Sequence, residues 1–145
     1  MPLNTTFADE LAKLIFWGDP IADLAENDSS SPLTDLYVAL HTADPGAGGT
    51  QDSNECAYTD YARVAVSRDG YGFAISGGVV SFIDPMIFPV CSAAPDASAP
   101  YFSVGVASSG AGKILGRGVL SPALAIIIGQ APRIKTDTAI SFKTT

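Results

Sequence analysis

From residue 33 onward, apolar and polar side chains alternate in short runs closed by Gly, Pro, Asn, Asp or Ser. A period of two puts alternate side chains on opposite faces of an extended strand. The run "DLYVALHT" places Leu36, Val38 and Leu40 on one face and Tyr37, Ala39 and His41 on the other. "YARVAVSR" sets Ala62, Val64 and Val66 opposite Arg63, Ala65 and Ser67. The same texture recurs in "YGFAIS", "GVVSFI", "YFSVGVAS", "KILGRGVL" and "TAISFK", with "ALAIII" and "RIK" as further strands. Ahead of these runs the period is helical. Phe7, Leu11, Leu14 and Ile15 fall at i, i+4, i+7 and i+8 as one apolar stripe. Thr6 is its expected N-cap, with Asp9 three residues on, and Gly18 and Pro20 end it. A second short turn is expected through Ile21 to Ala25, before the polar loop "ENDSSSP".

Strands with no crossover helices between them pair mainly antiparallel, so the pattern predicts an all-β sandwich or barrel. The stretch "PMIFPVCSAAPDASAP" carries four prolines, which bar a central strand, and reads as a long surface connection. At 145 residues the chain fits a single domain, residues 1–145, with a helical segment at 1–25 and a β-sandwich at 33–145.

Charge narrows the function classes. Charged residues make up only 16% of the chain, against roughly 25% in soluble domains, which suits a protein held in an assembly. Fifteen acids against eight bases give a net charge of −7 and argue against nucleic acid or an anionic membrane as partner. The longest uncharged apolar run, "PALAIIIG", is far short of a membrane span. No secretory leader pattern is visible at the start, so Cys56 and Cys91 are expected reduced and buried.

No catalytic constellation emerges. "PGAGGT" lacks the lysine and helix start of a phosphate loop and reads as a turn needing positive φ. His41, with Asp44 three residues on, has the makings of a general base. No nucleophile converges on it, so it reads as a half-buried strand-end imidazole. Cys56, Cys91 and His41 lack chelating spacing for zinc. Asp23, Glu26 and Asp28 lack the pattern of a calcium loop, and "SSGAGKILGRG" lacks the strand–turn–helix context of a dinucleotide site. Glu10, Glu26 and Glu55 offer no paired carboxylates within a strand. The chain is expected to be no enzyme and to need no cofactor or metal.

The order of elements carries a resemblance. "LNTTFADELAKLIF", "LYVALHTADPGAGGTQ", "YARVAVSR", "GGVVSF" and "FSVGVASSGAGKILGRGVL", closed by "TAISF", resemble a family of small tailed-bacteriophage structural proteins. Its members are often labelled tail-fibre proteins, and its best-understood relatives are capsid cement or decoration proteins. The resemblance implies a jelly-roll-like antiparallel β-sandwich that forms a homodimer and binds the phage major capsid protein from outside, bridging capsomers. It implies a virion protein of the capsid surface, assembled in the host bacterial cytoplasm, with no catalytic residues. The loops "WGDPIADLAENDSSSP" and "CSAAPDASAP" are longer than the family pattern. Dimer or capsid contacts are expected from a sheet edge and from Phe7, Leu11, Leu14, Ile15 and Trp17. Two alternatives stand beside this: a tail or tail-fibre component, and a glycan-binding module using Tyr37, Tyr58, Tyr61, Tyr71 or Trp17.

Overall fold

The alternating run that opens the strand-rich part folds as β1, Asp35–His41, with Leu36, Val38 and Leu40 buried as the alternation requires. Ala39 and His41 on its other face are fully buried too, because residues 51–55 cover that face. The computed structural model describes residues 5–21 and 33–141, with side chains from 8 to 21 and from 33 to 140. After α1, Thr5–Phe16, and β1 come β2 (Val64–Ser67), β3 (Phe73–Ser76), β4 (Val79–Phe82) and β5 (Met86–Ile87). β6 (Ala99–Gly105), β7 (Ile114–Leu124), β8 (Arg133–Ile134) and β9 (Ala139–Ser141) complete the order. They form a four-stranded sheet β2-β1-β6-β7, a three-stranded sheet β3-β4-β9 and a two-stranded ribbon β5-β8. Every pairing is antiparallel. This is the all-β sandwich with a short N-terminal helix that the sequence pattern implies.

The two larger sheets meet through aromatic side chains. Phe82 of β4 packs edge-on to Phe102 of β6 with ring centroids 6.3 Å apart, and Phe73 lies 5.8 Å from Phe82. Phe16 of α1 meets Phe73 edge-to-face at 5.0 Å, which fixes the helix against β3. Each such ring removed from water contributes about 1.5–3 kcal/mol before entropy is counted.

The helix turns a different face inward from the expected stripe. Ala8, Ala12 and Phe16, at i, i+4 and i+8, are its buried register, while Leu11, Leu14 and Ile15 are half-buried. Small Ala8 and Ala12 let the backbone come close to the sheet, and one large ring at the end fills the core. Thr6 lies inside the first turn rather than before it, so it is not the N-cap. Asp9 instead accepts from Gly78 N–H at 2.5 Å, tying the helix to the β3–β4 turn. At the other end Gly18 takes φ 74°, and Trp17 and Asp19 N–H both bond the Lys13 carbonyl. Arg68 donates to the carbonyls of Ile15 at 2.6 Å and Leu14 at 2.7 Å, a cation on the negative helix end. The turn expected beyond Ile21, at residues 22–25, lies outside the described residues, as do Asp23, Glu26 and Asp28.

Two further expectations are corrected. The proline-rich stretch is not a surface connection: Met86, Phe88, Cys91 and Ala99 are buried, and Met86–Ile87 pair with Ile134 and Arg133. Prolines forbid ladder hydrogen bonds but not burial of the residues between them. "ALAIII" is not a separate strand, because β7 runs on through Pro122 to Leu124. Pro122 is tolerated because β7 is an edge strand, with β6 as its only ladder partner among the described residues.

Candidate assembly surface

The polar groups best suited to chemistry are closed inside the fold. His41 is fully buried, with Nδ1 2.9 Å from the Ser53 carbonyl and Nε2 2.7 Å from Ser103 Oγ. A carbonyl only accepts, so Nδ1 carries the proton and Nε2 accepts from the serine hydroxyl. Burial pushes the imidazole pKa down, which keeps the ring neutral. Asp44 is not its partner. That carboxylate accepts from Gly46 N–H at 2.8 Å and from Arg117 Nε at 2.9 Å, and these contacts hold it below the usual carboxylate range.

Glu55 and Arg63 form the centre of a second cluster. Arg63 Nε and one terminal nitrogen donate to the two Glu55 oxygens at 2.7 and 2.8 Å. The remaining guanidinium donors reach the carbonyls of Ala107 at 2.8 Å and Gly110 at 2.6 Å. Tyr61 O–H donates to Glu55 at 2.9 Å and accepts from Leu40 N–H at 3.0 Å. Gln51, fully buried, donates to the Tyr37 carbonyl and accepts from Ala107 N–H, each at 3.0 Å. A Cβ on Gly105 would stand 2.2 Å from the Gln51 side chain, so glycine there makes room for it. Among the described residues every buried side-chain N or O has a partner. One arginine therefore joins the 51–55 loop to the 107–110 turn.

The "PGAGGT" turn follows the same logic. Gly46 takes φ 82°, and a Cβ on Gly49 would collide with the Pro45 carbonyl at 1.8 Å. Cys56 and Cys91 are free and buried; burial and nearby Asp96 push the Cys56 thiol up to about 12, far from a nucleophile at neutral pH. Among the described residues no three His, Cys, Asp or Glu side chains gather as a metal site.

Apolar side chains, by contrast, stand outside. β5 and β8 continue as a ribbon through Phe88 N–H to Pro132 O at 2.9 Å and Cys91 N–H to Gln130 O at 3.1 Å. Its tip is a turn from Ile127 to Gln130 with Gly129 at φ 82°. Val90, Ile127 and Ile128 are exposed at or beside this turn. On the four-stranded sheet, Val119 of β7 is 65% exposed. A groove of about 500 Å³ runs along β7 from Gly118 to Ala125, floored by Phe102, Leu120 and Ile134 and walled opposite by residues 133–139. A second groove of about 490 Å³ shares Gly118 and Val119 and continues to Leu115 and Ile140.

The contact residues expected from sequence are only partly on the surface. The side chain of Phe7 lies outside the described residues. Leu11 and Leu14 are half-exposed, whereas Ile15 and Trp17 pack against the core, with Trp17 Nε1 donating to Phe73 O at 2.8 Å. Of the five aromatic residues considered for sugars, Tyr58 is buried and Tyr61 stacks on Phe88. Tyr37 and Trp17 are partly buried, and Tyr71 alone is fully presented, at 86%. Sequence reasoning missed the β7 groove. Its signal was the length of the run from Ile114 to Leu124 with an interior proline, which marks an edge strand.

Residues 20–140, more than four-fifths of the chain, match the family model for podophage GP4 fiber I protein gp80. The matched span covers every strand but the last residue of β9, and leaves out α1. A search of curated proteins finds no match. The phage structural family expected from the sequence is therefore found, with a fibre rather than a capsid in its description.

Proposed function

We propose that this chain, which belongs to the podophage GP4 fiber I protein gp80 family, is a building part of a phage fibre and catalyses no reaction. Membership makes it a phage virion structural protein, and the observation that carries the fibre reading is the match over residues 20–140. The geometry supports it. Among the described residues the buried polar side chains all find partners within the fold, while several large apolar side chains and the edge of β7 stand exposed, groups of the kind that bind other protein surfaces. Its partners in this reading are other virion proteins, and at a net charge of −7 neither nucleic acid nor an anionic membrane is among them.

Electron microscopy of purified particles with gold-labelled antibodies to the chain tests this. Gold confined to the fibres is the expected result. Gold spread over the head would replace the fibre reading with capsid decoration, and particles without gold would overturn the structural role itself.

A further inference from the structure

We infer that β7 and the groove beside it take up one extended, acidic segment of a partner protein, added as a fifth strand to the four-stranded sheet. The inference deepens the fibre reading by naming the contact, and rests on it for the existence of a partner.

Three features of the site lead there. Among the described residues β7 is the longest strand and has β6 as its only ladder partner. Its outer backbone groups, apart from Pro122, which has no N–H, are therefore open to an incoming backbone. The two grooves follow this edge from Leu115 to Ala125, with Val119 in both. β7 keeps regular register with β6 from Gly116 to Val119 and carries extra residues between Val119 and Leu124. An added segment therefore pairs with the regular stretch, roughly 10 Å at the rise of a strand, and its remaining residues lie in the groove.

The wall argues for one strand rather than a second copy of the sheet. Residues 133–139 stand opposite β7 and close the groove on that side. A second copy offering its own β7 would bring its own wall against this one. A single extended chain brings no such wall and needs only the inter-strand spacing of about 4.8 Å on the β7 side.

Charge selects the kind of segment. The chain as a whole has 15 acids and eight bases. The groove along residues 118–125 reverses that balance, its charged residues being Arg133, Lys135 and a single acid, Asp137. The adjoining groove adds Arg117 and Asp44, which pair with each other. Both cations are exposed and neither makes an ion pair among the described residues. The apolar floor of Phe102, Leu120 and Ile134 takes alternate apolar side chains of the segment, and the two cations face its carboxylates.

Fluorescence anisotropy on the purified full chain tests this without reference to the particle. The probe is a labelled nonapeptide alternating Val with Glu and Thr. Controls replace Glu by Lys, or place Pro at two central positions. The acidic peptide should bind saturably, and the basic one at least about tenfold more weakly. The proline peptide should lose binding, because it cannot complete the ladder. Arg133→Glu with Lys135→Glu should invert the charge preference, and Val119→Glu, which sets a like charge against the segment's carboxylates, should weaken the acidic peptide about tenfold. Circular dichroism establishes that both variants are folded. Failure of the acidic peptide to bind, or equal binding of the proline peptide, overturns the inference. So does a dimer in sedimentation velocity that Val119→Glu abolishes, which would make a second copy the occupant. None of these results bears on where antibodies find the chain in the particle, so the fibre reading stands or falls separately.

Discussion

Two regions of the four-stranded sheet are built on opposite terms, a closed margin at the end of the central strand β1 and an open margin along the edge strand β7. Around His41, on β1, the polar groups of loops 51–55 and 107–110 close over the sheet and satisfy one another. Around Val119, on β7, backbone edge groups and apolar side chains face outward over an open groove. β6 belongs to both: its Ser103 binds His41, and its Phe102 forms part of the groove floor. The polar cluster thus ties loops to the sheet, whereas the β7 margin leaves apolar side chains and a strand edge uncovered.

The strongest way to break the comparison is to open the closed margin. Arg63→Ala leaves the Glu55 carboxylate, 16% exposed, without its cation and strands the Ala107 and Gly110 carbonyls. A loss of about 3–5 kcal/mol is expected from urea unfolding. Gly118→Ala strikes the boundary between the margins, where a Cβ would meet the buried Phe102 ring at 2.6 Å. Overpacking of this kind should cost about 1–3 kcal/mol by the same measurement.

Acid acts on the closed margin more gently. Burial holds the His41 pKa below its ordinary 6.5, so the unfolded chain takes up the proton first as pH falls. His41 therefore contributes no loss above pH 6.5, and the chain loses stability as pH drops below it, by at most about 1.4 kcal/mol per pH unit. The loss stops at the folded pKa. Asp44, held below its usual 3.8, adds a loss only when pH falls through that lower range. Melting temperatures at pH 7.5 and 5.5 should differ for the native chain and converge for His41→Gln.

The smallest effect belongs to the open margin. Val119→Lys and Tyr71→Ala alter side chains that are 65% and 86% exposed, and stability should stay within about 0.5 kcal/mol of the parent. A larger change in either would mean that the side chain carries structure instead of contact.

Some of this was legible along the chain. The alternation of β1, "VAVS", "FAIS" and "VVSF" is a local property, and each run became a strand. The helix was legible as a helix but not by its buried face, because Ala8 and Ala12 are chosen by closeness to β3 rather than by hydrophobicity. Arg63 alternates onto the polar side of its run, yet it is buried, because Glu55 and two carbonyls 44 and 47 residues away supply its partners. The groove depends on residues 118–125 meeting 133–139, and no periodicity reports such a meeting. The burial of Phe88 and Cys91 between prolines was hidden for the same reason: their partners, Pro132 and Gln130, come from another part of the chain.

The division between a closed and an open margin is tested most directly by amide hydrogen exchange, comparing the isolated chain with the chain in intact purified particles. Amides of residues 115–125 should exchange at least about tenfold more slowly in the particle, while those of residues 41–55 keep the same rate in both. Equal exchange of residues 115–125 in the two samples, or protection that appears at 41–55 instead, would contradict the account.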